Sequence, residues 1–201
     1  MMDKPETIHD FGGFPEALNK VQYPAPGAKS YAQMTIDNVK SISVHENYDW
    51  GLDHGTWCVL KNMFPEANVP VFQLSLDYKK PAQYHYNLAQ ELSFLRDKGV
   101  LIIGSGNVVH NFSGFSNPDA KPDWAIQFDN FVKDKIETGD HQALIEYEKL
   151  GKIAYMSHPS NDHYLPLLYA IASSDKKDKH QFFNETIEVG TMSMRSVIFS
   201  S

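Results

Sequence analysis

Apolar residues recur along this chain at helical spacing in some stretches and in unbroken runs in others. Across residues 30–41 the spacing is helical, with Tyr31, Met34 and Val39 as inward positions. Asp53 stands where a helix from about His54 to Met63 needs a cap, and Pro65 stops it. Pro81 opens another helix at its first position, which continues to Lys98 until Gly99 ends it. Residues 123–138 and 141–150 predict two more, and Asn161 or Asp162 caps a last helix running through Tyr169 and Ala172. Strand character appears at 43–45, at 69–76, at 186–189 and at 194–199. The continuous run Val100-Leu101-Ile102-Ile103-Gly104 predicts a central parallel strand, because a strand buried on both faces has no polar alternation. Strand, helix, strand in that order is a βαβ unit, so the expectation is one α/β domain over residues 1–201. Residues 5–28 are rich in Gly, Pro and aromatics and predict an ordered loop lying against something; residues 176–181 predict a solvated one.

Composition narrows the partners. The 201 residues carry a formal net charge of −7, and no long basic run exists, so nucleic acid is not expected as a partner. With 42% hydrophobic and 12% aromatic residues the chain has enough apolar material for a core. No stretch approaches the ~20 apolar residues of a membrane span, and the N-terminus has no signal-peptide core. The single cysteine, Cys58, excludes an intramolecular disulfide, and its apolar neighbours predict a buried, inert thiol. Together these lead to an expectation of a soluble, cytoplasmic protein.

The candidate chemistry lies in histidines, of which there are nine. His110 closes Gly104-Ser105-Gly106-Asn107-Val108-Val109-His110-Asn111, directly after the apolar run. In open α/β sheets ligands bind beyond the carboxyl ends of strands, so a histidine there suits a site, or else a structural turn. His158 and His163 flank Pro159 in a second segment, either aimed at one point or lying on the surface beside a helix cap. His54 stands at a helix start between Gly51 and Gly55, flanked by Trp50 and Trp57, where an acid/base role or a packed imidazole would both fit. His9, in the Gly/Phe loop, could line a pocket; His45, His85, His141 and His180 are expected to be surface or packing residues. The chain has no Gly-x-Ser-x-Gly elbow, Walker loop, His-Glu-x-x-His or Cys-x-x-Cys, which removes the signatures of the commonest enzyme classes.

Six segments occur in an order that resembles the class III extradiol (LigB-like) dioxygenases of the bacterial 4,5-DOPA type. They are Thr7-Ile8-His9-Asp10-Phe11-Gly12-Gly13-Phe14-Pro15, Tyr23-Pro24-Ala25-Pro26-Gly27, Gly51-Leu52-Asp53-His54-Gly55-Thr56-Trp57, Gly106-Asn107-Val108-Val109-His110-Asn111, His163-Tyr164-Leu165-Pro166-Leu167 and Gly190-Thr191-Met192-Ser193-Met194. The resemblance implies a three-layer α/β sandwich with a mostly parallel central sheet. It implies a non-haem metal, Fe(II) or Zn(II), and a reaction that inserts both atoms of O2 beside the diol of a catechol such as DOPA. It assigns His110 and His163 to the metal site and His54, alternatively His110, to acid/base catalysis, and sets His158 in a His-Pro pattern near the last ligand; His9 and His158 are the substrate-binding candidates. The family pattern also has His-Gly-Ser-Pro and Ser-Ala-His-Trp motifs, each ending a strand and supplying a ligand histidine; neither is in this sequence. The accompanying expectation is a chain without those strands and ligands, hence inactive or poorly folded. The rival function is an inactive homologue that binds a small aromatic ligand or a partner protein.

Overall fold

The computed structural model describes residues 2–200, with only the backbone of Ser116. The chain mixes helix and sheet and forms two compact units, Met1–Ser75 and Leu76–Ser201.

In the first unit, α1 (Glu16–Asn19), α2 (Lys29–Asn38) and α3 (His54–Met63) are joined by irregular chain. Single parallel bridges, Thr7 to Leu52 and Gly27 to Val71, hold that chain together. Trp57 and Leu60, three residues apart on α3, face a core with Tyr23, Ala25 and Leu52. Asp53 caps α3 as expected, its carboxylate accepting from the Thr56 N–H at 3.1 Å. Gln73 fastens that cap: its amide donates to Asp53 at 2.6 Å, and its carbonyl accepts from the Thr56 hydroxyl at 2.6 Å. On α2 the inward line runs through Ala32, Thr35 and on to Val39, while Tyr31 and Met34 are only half-buried. Cys58 corrects its expectation: with Trp57 turned inward, the next residue along a helix points away, and Cys58 is exposed. Desolvation of its sulfur and the Asp10 charge still hold the thiol above its ordinary pKa. Residues 43–45 form no strand, and of 69–76 only Val71 is bridged.

The second unit contains α4 (Ala82–Leu92), continued by a 3-10 turn at Ser93–Lys98 that Gly99 ends with φ 76°. Pro81 occupies the cap position rather than the first turn. Then come α5 (Asp123–Glu137), α6 (His141–Ile145), a 3-10 turn at Tyr147–Leu150, α7 (Lys152–Ser157) and α8 (Leu165–Ala172). Phe128 and Val132 of α5, with Leu165, Leu168 and Ile171 of α8, form the centre of its core. Two antiparallel pairs follow: β1 (Lys179–Phe183) with β4 (Ser196–Ser200), and β2 (Ile187–Glu188) with β3 (Met192–Ser193). The start of β1 falls in the stretch expected to be a solvated loop.

The parallel central sheet and the three layers are not found among the described residues. Residues 100–104 make no ladder there, and Leu101 and Ile103 are 59% and 40% exposed. An apolar run marks a segment suited to burial, but a strand exists only where a second backbone accepts its hydrogen bonds.

A buried ion pair ties the β2–β3 ribbon to α5. Arg195 donates from Nε to both Asp129 oxygens, at 3.0 and 3.1 Å, and from Nη2 to Oδ2 at 2.6 Å. Its side chain is 7% exposed and that of Asp129 9%. Ser193 of β3 donates its hydroxyl to Asp129 at 2.6 Å, Arg195 also bonds Glu185, and the guanidinium lies 5.6 Å from the Phe182 ring centre.

Candidate functional site

Each unit holds one constellation. In the first, the loop carrying His9 and Asp10 packs beside the start of α3. The Asp10 carboxylate takes both the backbone N–H of His54, at 3.0 Å, and its ring Nδ1, at 2.8 Å. With Nδ1–H donating to the carboxylate, Nε2 carries the lone pair and is the base-competent nitrogen. Burial works against the charge on Asp10, but the two His54 bonds outweigh it and lower its pKa. Phe11 meets the His54 ring edge-on at 5.7 Å. His9 is placed differently: its Nε2 bonds the Val21 carbonyl at 3.0 Å, and its ring packs 5.7 Å from Trp57. Trp57 in turn donates to the Ile8 carbonyl at 2.9 Å.

In the second unit the glycine-rich segment brings His110 and His163 together. Their rings stack at 3.6 Å, only 8° from parallel. Asp162 lies 2.9 Å from His163 Nδ1, so its expected role as a helix cap becomes one of orienting an imidazole; α8 has no side-chain cap bond. Burial opposes the Asp162 charge, yet the Ser160 hydroxyl and the neighbouring imidazoles lower its pKa. The glycines are needed for close approach rather than for a turn. A Cβ on Gly106 would stand 2.1 Å from the His163 carbonyl oxygen, and one on Gly104 2.2 Å from that of Pro166. The Asn107 N–H donates to the same His163 carbonyl at 3.1 Å. Gly106→Ala is therefore expected to push the segment off His163 and destabilise the unit by ~1–3 kcal/mol, as overpacking does. Thermal unfolding, together with the ring chemical shifts of His163, measures it; unchanged values would mean the contact yields freely.

His158 is 5% exposed. Its Nε2 lies 2.6 Å from the Val108 carbonyl, and Phe128 and Tyr164 pack around it at 5.3 and 5.2 Å. Its Nδ1 is buried without a partner, an arrangement that costs ~1–3 kcal/mol. Burial pushes its pKa down to about 4. His85, wholly buried between the Tyr169 hydroxyl and the Asp77 carbonyl, is likewise lowered by burial. Both groups bind a proton more weakly folded than unfolded. Their contribution to stability is thus complete above the ordinary imidazole value of 6.5 and is lost as pH falls towards about 4. The urea midpoint is expected to drop between pH 7 and pH 5; a flat profile would contradict these protonation states.

Beside His158 opens a cleft of about 440 Å³, lined among others by Tyr78, Tyr147, Tyr155, Glu148 and Asn161.

Imidazoles are suitable donors for a divalent transition metal. The number falls short: among the described residues no group of three or more His, Cys, Asp or Glu side chains could hold an ion. His110 and His163 alone do not make a closed metal site. Sequence reasoning selected these two histidines and His54 but assigned no role to Asp10 and only a cap to Asp162. No local spacing links position 10 to position 54, and a carboxylate next to a histidine reads equally well as a helix cap.

Comparisons with known proteins agree with the motifs. The profile of the family described as "Catalytic LigB subunit of aromatic ring-opening dioxygenase" matches residues 1–199. A 4,5-DOPA dioxygenase extradiol of Escherichia coli K12 is 40% identical over 206 residues, covering 98% of this chain and 74% of that protein. Proteins of the same name from Mirabilis jalapa and Beta vulgaris are 37% and 35% identical, covering 90% and 100% of this chain and 69% and 76% of theirs. A crystal structure of an uncharacterized protein from Escherichia coli K12 superimposes with a TM-score of 0.80 at 34% identity, over 96% of this chain and 80% of that one. This chain belongs to the LigB family of extradiol ring-cleaving dioxygenases. Members of that family depend on a non-haem metal. No helix among the described residues is long and apolar enough to cross a membrane.

Proposed function

We propose that the chain cleaves the ring of a catechol, with DOPA the leading candidate, by inserting both atoms of O2 beside the diol, and that Fe(II) is the ion used, with Zn(II) the alternative. The observation that carries this reading is the stacked His110–His163 pair, held by Gly106 and Asp162, within a chain matched to the family over residues 1–199. DOPA stands in the names of the three relatives compared above.

Each residue then has a task. A bound divalent ion would supply Lewis acidity toward the two catechol oxygens and O2. His110 and His163 would contribute imidazole nitrogen to it, and Asp162 keeps the His163 ring in one orientation. As the family resemblance has it, His54 is the acid/base group: its Nε2 is the base-competent nitrogen, with Asp10 fixing the tautomer that leaves this nitrogen unprotonated. His110 is the alternative base. His9 belongs to the substrate side, where its ring stiffens the aromatic loop. A cytoplasmic setting suits the lone thiol of Cys58.

A second reading, a non-catalytic protein that binds a small aromatic molecule or a partner, is favoured by one pair of facts. The described residues contain no three-donor metal cluster, and the second unit does contain a tyrosine-lined cleft of small-molecule size. Fe(II) titration followed by O2 uptake with DOPA separates the two: uptake supports the dioxygenase, and catechol binding without uptake supports the binder.

A further inference from the structure

The segment carrying His110 is held from two sides. On one side β3 grips it: the Ser193 N–H donates to the Val109 carbonyl at 3.0 Å, and Asn107 donates its amide to the Ser193 carbonyl at 2.9 Å. On the other side stands the end of α7. The His110 N–H donates to the Ser157 carbonyl at 2.9 Å, and the Asn111 amide to that of Met156 at 2.6 Å. The third bond from that side, like that of the Asn111 side-chain amide, comes from a side chain: His158, whose Nε2 meets the Val108 carbonyl at 2.6 Å.

A carbonyl only accepts, so His158 Nε2 carries the proton and Nδ1 the lone pair. That lone pair has no partner in the buried interior. Phe128, Tyr147 and Tyr164 pack around the ring at 5.3, 6.4 and 5.2 Å. An apolar residue would fill this aromatic cage without an orphaned nitrogen. What the imidazole adds is the single bond to Val108, two residues before His110.

We propose that His158 is a positioning residue: its Nε2–H bond to the Val108 carbonyl fixes the backbone of residues 108–110 and thereby the direction of the His110 ring. It acts through that backbone and not by touching substrate. The proposal rests on the reading of His110 as a functional imidazole.

Two variants separate the bond from the volume. His158→Phe fills the cage but leaves the Val108 carbonyl without a donor. His158→Gln places an amide N–H near the position of Nε2. Amide hydrogen exchange reads the clamp directly, with Leu168 and Ile171 of α8 as the reference for global opening. In His158→Phe the His110 and Asn111 amides are expected to exchange about tenfold faster relative to α8, the loss of roughly one net hydrogen bond. In His158→Gln they return most of the way to wild type. In the Fe(II)-loaded protein kcat should follow the same order while KM for the catechol stays constant.

Unchanged exchange at His110 in the Phe variant overturns the proposal, as does equal damage from Phe and Gln. A rise in KM at unchanged kcat would mean that His158 contacts substrate instead. Should the Phe variant not fold, the Gln variant decides, since a folded Gln protein with fast exchange at His110 contradicts the bond's role. If the wild type consumes no O2, the dioxygenase reading fails while the exchange measurement still decides the positioning.

Discussion

Asp129→Ala is expected to destabilise the second unit by ~3–5 kcal/mol, the usual cost of removing one partner of a buried ion pair. The remaining guanidinium of Arg195 is 7% exposed and loses the carboxylate that takes three of its contacts. The Ser193 hydroxyl loses its acceptor at the same time. Glu185 cannot compensate from a side chain that is 38% exposed. For a unit of this size the loss corresponds to a fall in Tm of roughly 10–20 °C. It also reaches the functional segment, because β3 bonds Val109 through the Ser193 N–H. Differential scanning calorimetry measures the effect. The double variant Asp129→Leu with Arg195→Met should recover much of the loss, since an apolar pair leaves no buried charge unmatched. A single variant within ~1 kcal/mol of wild type would show that water reaches the guanidinium.

His54→Ala is expected to lower kcat/KM for the catechol by ~10²–10⁴, the range for removing a positioned acid–base group. The side chain is 44% exposed, so the unfolding temperature should barely move. Asp10→Ala should show part of the same loss by freeing the tautomer that presents Nε2 as the base, a smaller fall than that of His54→Ala. Steady-state O2 uptake at several pH values tests both. Activity of His54→Ala within ~3-fold of wild type would remove His54 from the chemistry and leave His110 as the base.

The helices were legible because each depends on local spacing. Asp53 caps α3, Gly99 ends the α4 segment, and α5 runs from Asp123 within a residue of the expected end. Short α7 went unread: six residues after Gly151 give little periodicity, yet its last carbonyls hold His110 and Asn111. The strands expected at 186–189 and 194–199 are present as β2 and β4, whereas those expected at 43–45, 69–76 and 100–104 are not formed, for a different reason. The run at 100–104 has the composition of a central strand, but pairing is a property of two segments, and the sequence of one cannot reveal whether a partner lies beside it. At the candidate site the imidazoles were legible as residue types in glycine-rich contexts. Their partners were not, because Asp10 is 44 residues from His54 and the Val108 carbonyl carries no side-chain signature.

Ring cleavage by this chain is measured most directly as O2 consumption with DOPA after anaerobic loading with Fe(II). One O2 should be consumed per catechol, with formation of a ring-opened product, and both should be lost in His163→Ala. Binding of DOPA with no O2 uptake and no change in its absorbance would contradict ring cleavage and leave the chain as a ligand-binding relative of the family.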